Sequence, residues 1–254
     1  AVEDENHLEI LDNNIINSFK YNKEGVQSWI DEGISEEALE RFNIKYDSYL
    51  NAIIIPNLNH EGKLIGIRGR FLGENAKAKY MPIKFNGKIL SHPTGKFLYG
   101  YYENKNRISS KRIAIIFEGE KSVLKMETYY PTSNIALSTS GKKITFDHLS
   151  ALLKLGVREV VLAYDKDYTN SKEREEKIKE YQKIVGILTP YFEVSIIVDD
   201  ENKLQYKDSP IDQGKDVPSN LIGKRVVAMT RFGGYAEYAV TDYRALAEIP
   251  KDYP

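Results

Sequence analysis

The feature that most constrains the fold is a regular alternation of short apolar runs and longer amphipathic segments after residue 111. Strands are predicted over 112–117, 134–139, 158–165 and 192–198. Helices are predicted over 145–155 and 171–188, and a further helix is predicted to begin within 118–122 and to run to about 129. Parallel strands need a crossover connection, which is usually a helix. The alternation therefore predicts an α/β fold, with a Rossmann-like, mainly parallel sheet and helices on both of its faces.

The first part of the chain has a different periodicity. Helical turns are predicted over 22–30 and 35–42, and Ser35 is a suitable cap for the second of them. Apolar strands over 53–58 and 63–72 flank a short polar turn, which predicts a β-hairpin. Arg68 and Arg70 are two residues apart on the second strand, so their side chains share one face.

The net charge of −1 hides a strong segregation of charge. Residues 1–50 contain 4 Lys or Arg against 12 Asp or Glu, whereas residues 60–112 contain 12 against 3. The basic block indicates a polyanionic partner, either nucleic acid or nucleotide phosphates, and an ordinary solvated face is the alternative. Cations and aromatics also interleave over 78–82 and 96–102, a pattern that suits base stacking or the filling of a core under loops.

Several classes of protein are excluded by composition. The chain has no cysteine, which rules out disulfides, a thiolate nucleophile and cysteine-ligated zinc within it. It contains no run of 18 apolar residues and its first residues are acidic, so neither a transmembrane helix nor a signal peptide is predicted. We expect a cytoplasmic protein that has no membrane partner.

Acidic residues follow two of the predicted parallel strands. Glu118 follows the first strand, and Asp165 and Asp167 follow the third. Parallel strands end at one edge of a sheet, and residues two apart in an extended segment point the same way. Converging carboxylates are ligands that suit Mg²⁺ or Mn²⁺. Aspartate after a strand is also common in ordinary loops, so this motif alone leaves both interpretations open.

A longer ordered set of motifs narrows the choice. It comprises Ile54-Ile55-Pro56, Gly69-Arg70, Ala78-Lys79-Tyr80, Leu98-Tyr99-Gly100, Phe117-Glu118-Gly119 and Asp165-Lys166-Asp167. The last two resemble the signatures of the TOPRIM domain. Over about residues 25–216 the whole set resembles the RNA-polymerase catalytic core of bacterial-type, DnaG-like primases, in the form seen in phages and mobile elements.

This resemblance implies a domain organisation and a set of site residues. It implies a basic α+β N-terminal primase subdomain over 1–110 and a TOPRIM catalytic subdomain over 111–216. The implied catalytic residues are Glu118, Asp165 and Asp167, which also bind the metal together with Asp208 and Asp212. Nucleic acid or nucleotide is implied to bind at Arg68, Arg70, Lys79 and Lys96. The implied cofactor is Mg²⁺ or Mn²⁺.

The resemblance also implies a reaction and partners. The reaction is template-directed synthesis of short RNA primers on single-stranded DNA from nucleoside triphosphates. A replicative helicase and a zinc-binding domain outside this chain are the further implied partners. Ser122 stands where the family often has Asp. This departure keeps open a nucleic-acid-binding module with weak catalysis. A metal-dependent TOPRIM nuclease, which would use the same acids, is the other alternative.

The end of the chain breaks the α/β pattern. Residues 223–240 resemble a strand segment of the medium-chain, zinc-type alcohol dehydrogenase and quinone reductase family. We predict that residues 217–254 are a small β appendage or a fusion. Within them, 225–229 and 236–240 are predicted to pair as a hairpin across Gly233 and Gly234.

Overall fold

The computed structural model describes residues 8–73 and 78–197, together with the backbone of two short strands at 226–228 and 246–248. The first part contains helices α1 (Asn13–Asn17), α2 (Gln27–Asp31) and α3 (Glu36–Arg41) and strands β1 (Lys45–Asp47), β2 (Ala52–Leu58), β3 (Leu64–Phe71), β4 (Tyr80–Pro82), β5 (Lys84–Phe85) and β6 (Lys88–Ile89). Both predicted helical turns are confirmed. The Ser35 hydroxyl accepts a hydrogen bond from the amide of Ala38, which caps α3.

The N-terminal sheet is antiparallel, with strand order β1-β2-β3-β4. The predicted hairpin is confirmed as β2 and β3, with Ile53 opposite Arg70 and Ile55 opposite Arg68. Most of β2 is buried, because one face of the hairpin packs on the parallel half of the molecule and the other on a second cluster under β5 and β6. The two arginines of β3 thus belong to a strand whose position is fixed on both sides.

The aromatic segment 96–102 leads into a helix, α4 (Tyr101–Lys111), instead of forming an open surface. Tyr99 and Tyr101 are buried in the core, whereas Tyr102 is exposed. Gly100 enters this helix at a φ of +83°, and a Cβ there would lie 2.9 Å from a methyl group of Val123. Most of this segment therefore fills the core, which was one of the two alternatives that the sequence left open.

The second sheet is parallel throughout, with strand order β10-β9-β7-β8. Its strands are β7 (Ile113–Phe117), β8 (Ala136–Ser138), β9 (Glu159–Leu162) and β10 (Glu193–Ile196), and the connecting helices are α5 (Glu120–Tyr129), α6 (Phe146–Lys154) and α7 (Ser171–Leu188). The predicted α/β fold is confirmed. Among the described residues, no helix combines the length and the apolar character needed to cross a membrane.

The two sheets are joined by one continuous hydrophobic core. Trp29 and Phe42 from the N-terminal helices pack in the same cluster as Ile55 of β2 and Ile116 of β7. Helix α3 lies against α5, and the hydroxyl of Thr128 accepts a hydrogen bond from the Ser35 amide at 3.0 Å. The division of the chain at residue 110 into two subdomains stays a prediction, since both parts share this core.

In the last part of the chain, β11 (Val226–Ala228) pairs antiparallel with β12 (Leu246–Glu248). The predicted pairing of 225–229 with 236–240 stays a prediction, because 236–240 lies outside the described residues. The resemblance of residues 223–240 to a dehydrogenase segment falls mostly on residues outside the description and stays a hypothesis.

Candidate active site at the carboxyl edge of the parallel sheet

Glu118 directly follows β7, at the edge where the parallel strands end. Its backbone carbonyl accepts hydrogen bonds from the amide of Gly141 at 2.8 Å and from the hydroxyl of Ser138 at 3.0 Å. Both donors belong to the segment at the end of β8, the neighbouring parallel strand. The side chain, 12% exposed, accepts a hydrogen bond from Lys177 Nζ at 2.8 Å. The Glu118 carboxylate is therefore held in a defined position.

Asp167 reaches the same ammonium group from the segment after β9. Its Oδ1 lies 3.1 Å from Lys177 Nζ, and its Oδ2 accepts a hydrogen bond from Lys142. Strand β9 ends at Leu162, three residues earlier than predicted, so Asp165 and Asp167 lie in an irregular loop. Asp165 is partly buried there. The structure thus brings Glu118 and Asp167 together on a single cation.

The pKa values of these two carboxyl groups shift in opposite directions. Burial raises the pKa of Glu118 above its usual value, although the hydrogen bond from Lys177 partly counters this effect. Burial also pushes the pKa of Asp167 upward, but the hydrogen bonds from Lys142 and Lys177 outweigh it, and the resulting pKa is lowered. Two carboxyl groups of different proton affinity on one cation are typical of an acid/base site.

The donor set suits a hard divalent cation, because two carboxylates that share one ammonium can also share a metal ion. Across residues 8–73 and 78–197, however, no three acidic or histidine side chains form a group that could hold a metal. Asp208 and Asp212, the other predicted ligands, lie outside the described residues. The metal assignment to Glu118, Asp165 and Asp167 stays a prediction.

Lys177 belongs to this site but is not among the residues predicted from the sequence. It is buried on the inner face of α7, where it precedes Tyr181, Ile184 and Leu188 at helical spacing. Its ammonium also lies near the rings of Tyr164 and Tyr181, 5.7 and 5.6 Å from their centroids. A lysine at an apolar position of an otherwise regular amphipathic helix was the available signal, because buried lysines are rare unless they are paired.

A second ion pair joins the N-terminal sheet to this edge. Arg68 of β3 donates to Glu120, which is nearly fully buried at the start of α5, with an N–O distance of 2.5 Å. Glu120 also accepts a hydrogen bond from the hydroxyl of Ser140 at 2.9 Å. The family resemblance implies that Arg68 binds nucleic acid or nucleotide, and nothing in the sequence singles out Glu120. The guanidinium is already held within the fold, and its predicted role in binding remains untested.

The other predicted basic residues lie at different places. The guanidinium carbons of Arg68 and Arg70 lie 5.6 and 5.2 Å from the centroid of the Tyr80 ring. Lys79, which precedes β4, has an exposed side chain, and its carbonyl accepts a hydrogen bond from the Phe71 amide. Lys96 is exposed and lines a cavity of about 200 Å³ together with residues of α6. Arg70 pairs with Tyr80 across β3 and β4, and Lys79 precedes Tyr80 in the chain. Lys96 lies elsewhere, at the cavity beside α6.

Comparison with known proteins agrees with this architecture. No family model matches the sequence. The chain is 28% identical over 154 residues to the DNA primase of Escherichia coli. Its fold is similar to the Aquifex aeolicus primase structure of the zinc-binding and RNA-polymerase domains, with a TM-score of 0.60 and 18% identity over 78% of this chain and 55% of that one. The chain resembles DnaG-like primases in both sequence and fold. The predicted resemblance is thereby confirmed.

Two further matches refine this primase-like assignment. The chain is 39% identical over 223 residues to the SPbeta prophage-derived uncharacterized protein YorJ of Bacillus subtilis, a match that fits a phage form. A DnaG primase catalytic domain bound to single-stranded DNA has a TM-score of 0.57 at 18% identity, over 78% of this chain and 71% of that one.

The matches cover only part of the longer relatives. The alignment includes 82% of this primase-like chain but 59% of YorJ. It includes 61% of this chain but only 25% of the E. coli primase. The similarity therefore concerns the primase catalytic core, and the activities of the longer proteins are not transferred by it alone.

Proposed function

We propose that the protein synthesises short RNA primers on single-stranded DNA by metal-dependent nucleotidyl transfer. One observation carries this proposal: Glu118 and Asp167 meet at the carboxyl edge of the parallel sheet, 2.8 and 3.1 Å from one buried ammonium, within a primase-like fold. The carboxyl edge is where open parallel sheets place their functional groups.

The chemistry assigns distinct roles to the residues of this edge. A bound Mg²⁺ or Mn²⁺ would lower the barrier by stabilising the attacking 3′-oxygen and the pyrophosphate that leaves. Asp167, whose pKa is lowered by its lysine partners despite burial, would remain ionised and hold that ion. Glu118, whose pKa is raised by burial, would bind it too and accept the proton of the attacking hydroxyl. Asp165 would complete the set.

The basic block would hold the template and the triphosphates. Arg70 and Lys79 lie next to Tyr80, so this surface combines positive charge with an aromatic ring. The similar DnaG catalytic domain that was solved with single-stranded DNA supports this assignment. Contacts of this kind are strongly dependent on salt, because each one releases counterions from the nucleic acid.

A binding module with weak catalysis is the second candidate. Ser122 is buried in α5 at the position where the DnaG-like family often has Asp, so this chain has a neutral hydroxyl in place of that carboxylate. A TOPRIM nuclease would use the same acids, but it does not require the basic segments around Arg70 and Lys79.

A nucleotide-incorporation assay with the purified full chain separates these candidates. Labelled nucleoside triphosphates are supplied with a single-stranded template and Mg²⁺ or Mn²⁺, and the products are resolved by length. Asp165→Ala should abolish incorporation with the fold retained, as checked by circular dichroism. Asp31→Asn, which removes an exposed charge from α2, serves as the control and should incorporate normally.

The outcomes point to different functions. Unchanged incorporation by Asp165→Ala contradicts the proposed site. Shortening of the template without incorporation would indicate a nuclease. Salt-dependent DNA binding with neither reaction would indicate the binding module.

A further inference from the structure

The two carboxylates of the candidate site already have a cation supplied by the chain. Lys177 Nζ lies 2.8 Å from Glu118 Oε1 and 3.1 Å from Asp167 Oδ1, and the lysine side chain is 3% exposed. A buried ammonium needs such partners, since an unpaired charge in the interior is very costly. The same contact also relieves the repulsion between two neighbouring carboxylates.

The Lys177 ammonium and a divalent ion cannot both lie between these two carboxylates without strong electrostatic repulsion. Both use the carboxylate oxygens of Glu118 and Asp167, and Mg²⁺ or Mn²⁺ would add two positive charges close to the existing one. Lys142 presents less of a conflict, because it binds the other oxygen of Asp167 and its side chain is 46% exposed to solvent. Lys177 is therefore the cation whose side chain has to move when a metal ion binds.

An alternative partner for Lys177 lies on its own helix. Glu180 Oε2 is 3.9 Å from Lys177 Nζ, three residues further along α7, and its side chain is 32% exposed. Lysine has a long and flexible side chain with a compact charge. Glu180 is thus the carboxylate towards which the Lys177 side chain would rotate if it left Glu118 and Asp167.

We propose that Lys177 is a resident counterion of the candidate metal site. It holds Glu118 and Asp167 in place before a metal ion binds, and it moves towards Glu180 when the ion binds. The inference rests on the proposed function in one respect, namely that a divalent ion binds at these two carboxylates. It adds that metal binding here is an exchange of cations, tuned by a residue that is not itself a ligand.

Two variants of the 254-residue chain should change Mn²⁺ binding in opposite directions. Lys177→Met removes the competing charge while keeping a similar side-chain volume, and it should tighten Mn²⁺ binding by about tenfold or more. Glu180→Gln removes the alternative partner, and it should weaken Mn²⁺ binding by roughly threefold to tenfold. Glu176→Gln removes an exposed carboxylate from the same helix and serves as the matched control. Binding is measured from the electron paramagnetic resonance signal of free Mn²⁺.

Thermal unfolding provides a second readout that does not depend on catalysis. Without metal, Lys177→Met should melt at a lower temperature than the unmodified protein, because Glu118 and Asp167 lose their counterion. Saturating Mn²⁺ should close most of this gap, since the metal ion then neutralises both carboxylates. If Lys177→Met does not fold, the Mn²⁺ affinity of Glu180→Gln alone tests the proposal, because this variant removes no buried charge.

The results separate this inference from the proposed function. Equal Mn²⁺ affinity in the unmodified protein, Lys177→Met and Glu180→Gln overturns the counterion role and leaves metal-dependent primer synthesis standing. Weaker binding by Lys177→Met also overturns it, since the lysine would then only position the carboxylates. An unmodified protein that neither binds Mn²⁺ nor incorporates nucleotides overturns both.

Discussion

The ion pair between Arg68 and Glu120 offers a sharp test of how the two sheets are held together. Arg68 comes from the N-terminal sheet and Glu120 from the first turn of α5, and their side chains are 15% and 3% exposed. Replacing Arg68 by Met removes the charge and retains most of the aliphatic contact. Glu120 is then left buried, with the hydroxyl of Ser140 as its remaining described hydrogen-bond donor.

The magnitude follows from the burial of the pair. Removing one partner of a fully buried ion pair costs about 3–5 kcal/mol. Since Arg68 keeps some exposure and Ser140 still donates to Glu120, we expect Arg68→Met to lower the free energy of unfolding by about 2–4 kcal/mol. For a chain of this size, that corresponds to a melting temperature lower by roughly 5–15 °C. Adding Glu120→Gln should recover about 1–2 kcal/mol, because the buried charge is removed.

Urea unfolding of the two single variants and the double variant gives this coupling energy directly. Arg70→Met is the matched control, because Arg70 lies on the same face of β3 but its described contact is with the ring of Tyr80. It should cost less than about 1 kcal/mol. A cost below about 0.5 kcal/mol for Arg68→Met, combined with weaker DNA binding, would refute the structural role of Arg68 and favour a role in binding nucleic acid.

Further predictions concern the groove, the end of the chain and pH. Arg70→Ala and Lys79→Ala should each weaken binding of single-stranded DNA and reduce the slope of log K against log salt by about one at most. Lys179→Ala on α7 is the control and should change neither quantity. Unchanged slopes for Arg70→Ala and Lys79→Ala would contradict the groove assignment. Deleting residues 221–254 should leave DNA affinity and metal-dependent synthesis intact, and its largest expected effect is a lower melting temperature. Loss of synthesis in a truncated protein that still folds would show that this segment is part of the catalytic unit. Burial, and to a lesser extent the charge of Arg68, lower the pKa of His92 from 6.5 to about 4. The unfolded chain therefore binds a proton at a pH where the folded protein does not, and stability should fall by about 2–3 kcal/mol as the pH falls from 6.5 to 4. His92→Gln should remove this part of the pH dependence in urea unfolding, and a dependence that persists would show that another group causes it.

Some elements could be predicted because their signals are local. The β2–β3 hairpin has strand-forming residues on both sides of a short polar turn, and it forms with Arg68 and Arg70 on one strand as expected. The helix at 101–111 was not predicted, because its sequence is polar and rich in tyrosine and only a few of its residues face the core. It begins after Gly100, which has a positive φ and leaves no room for a Cβ beside Val123 of another helix.

The sequence alone is sufficient to predict the parallel sheet and to place Glu118, Asp165 and Asp167 after its strands, because hydrophobic periodicity and strand order are encoded locally. The partners of these acids follow from tertiary packing alone. Lys177 lies 59 residues after Glu118 in the chain, and Arg68 lies 52 residues before Glu120. The identity of the partner has no local signal in either pair, because contacts between distant residues arise only when separate elements pack and buried charges must find partners.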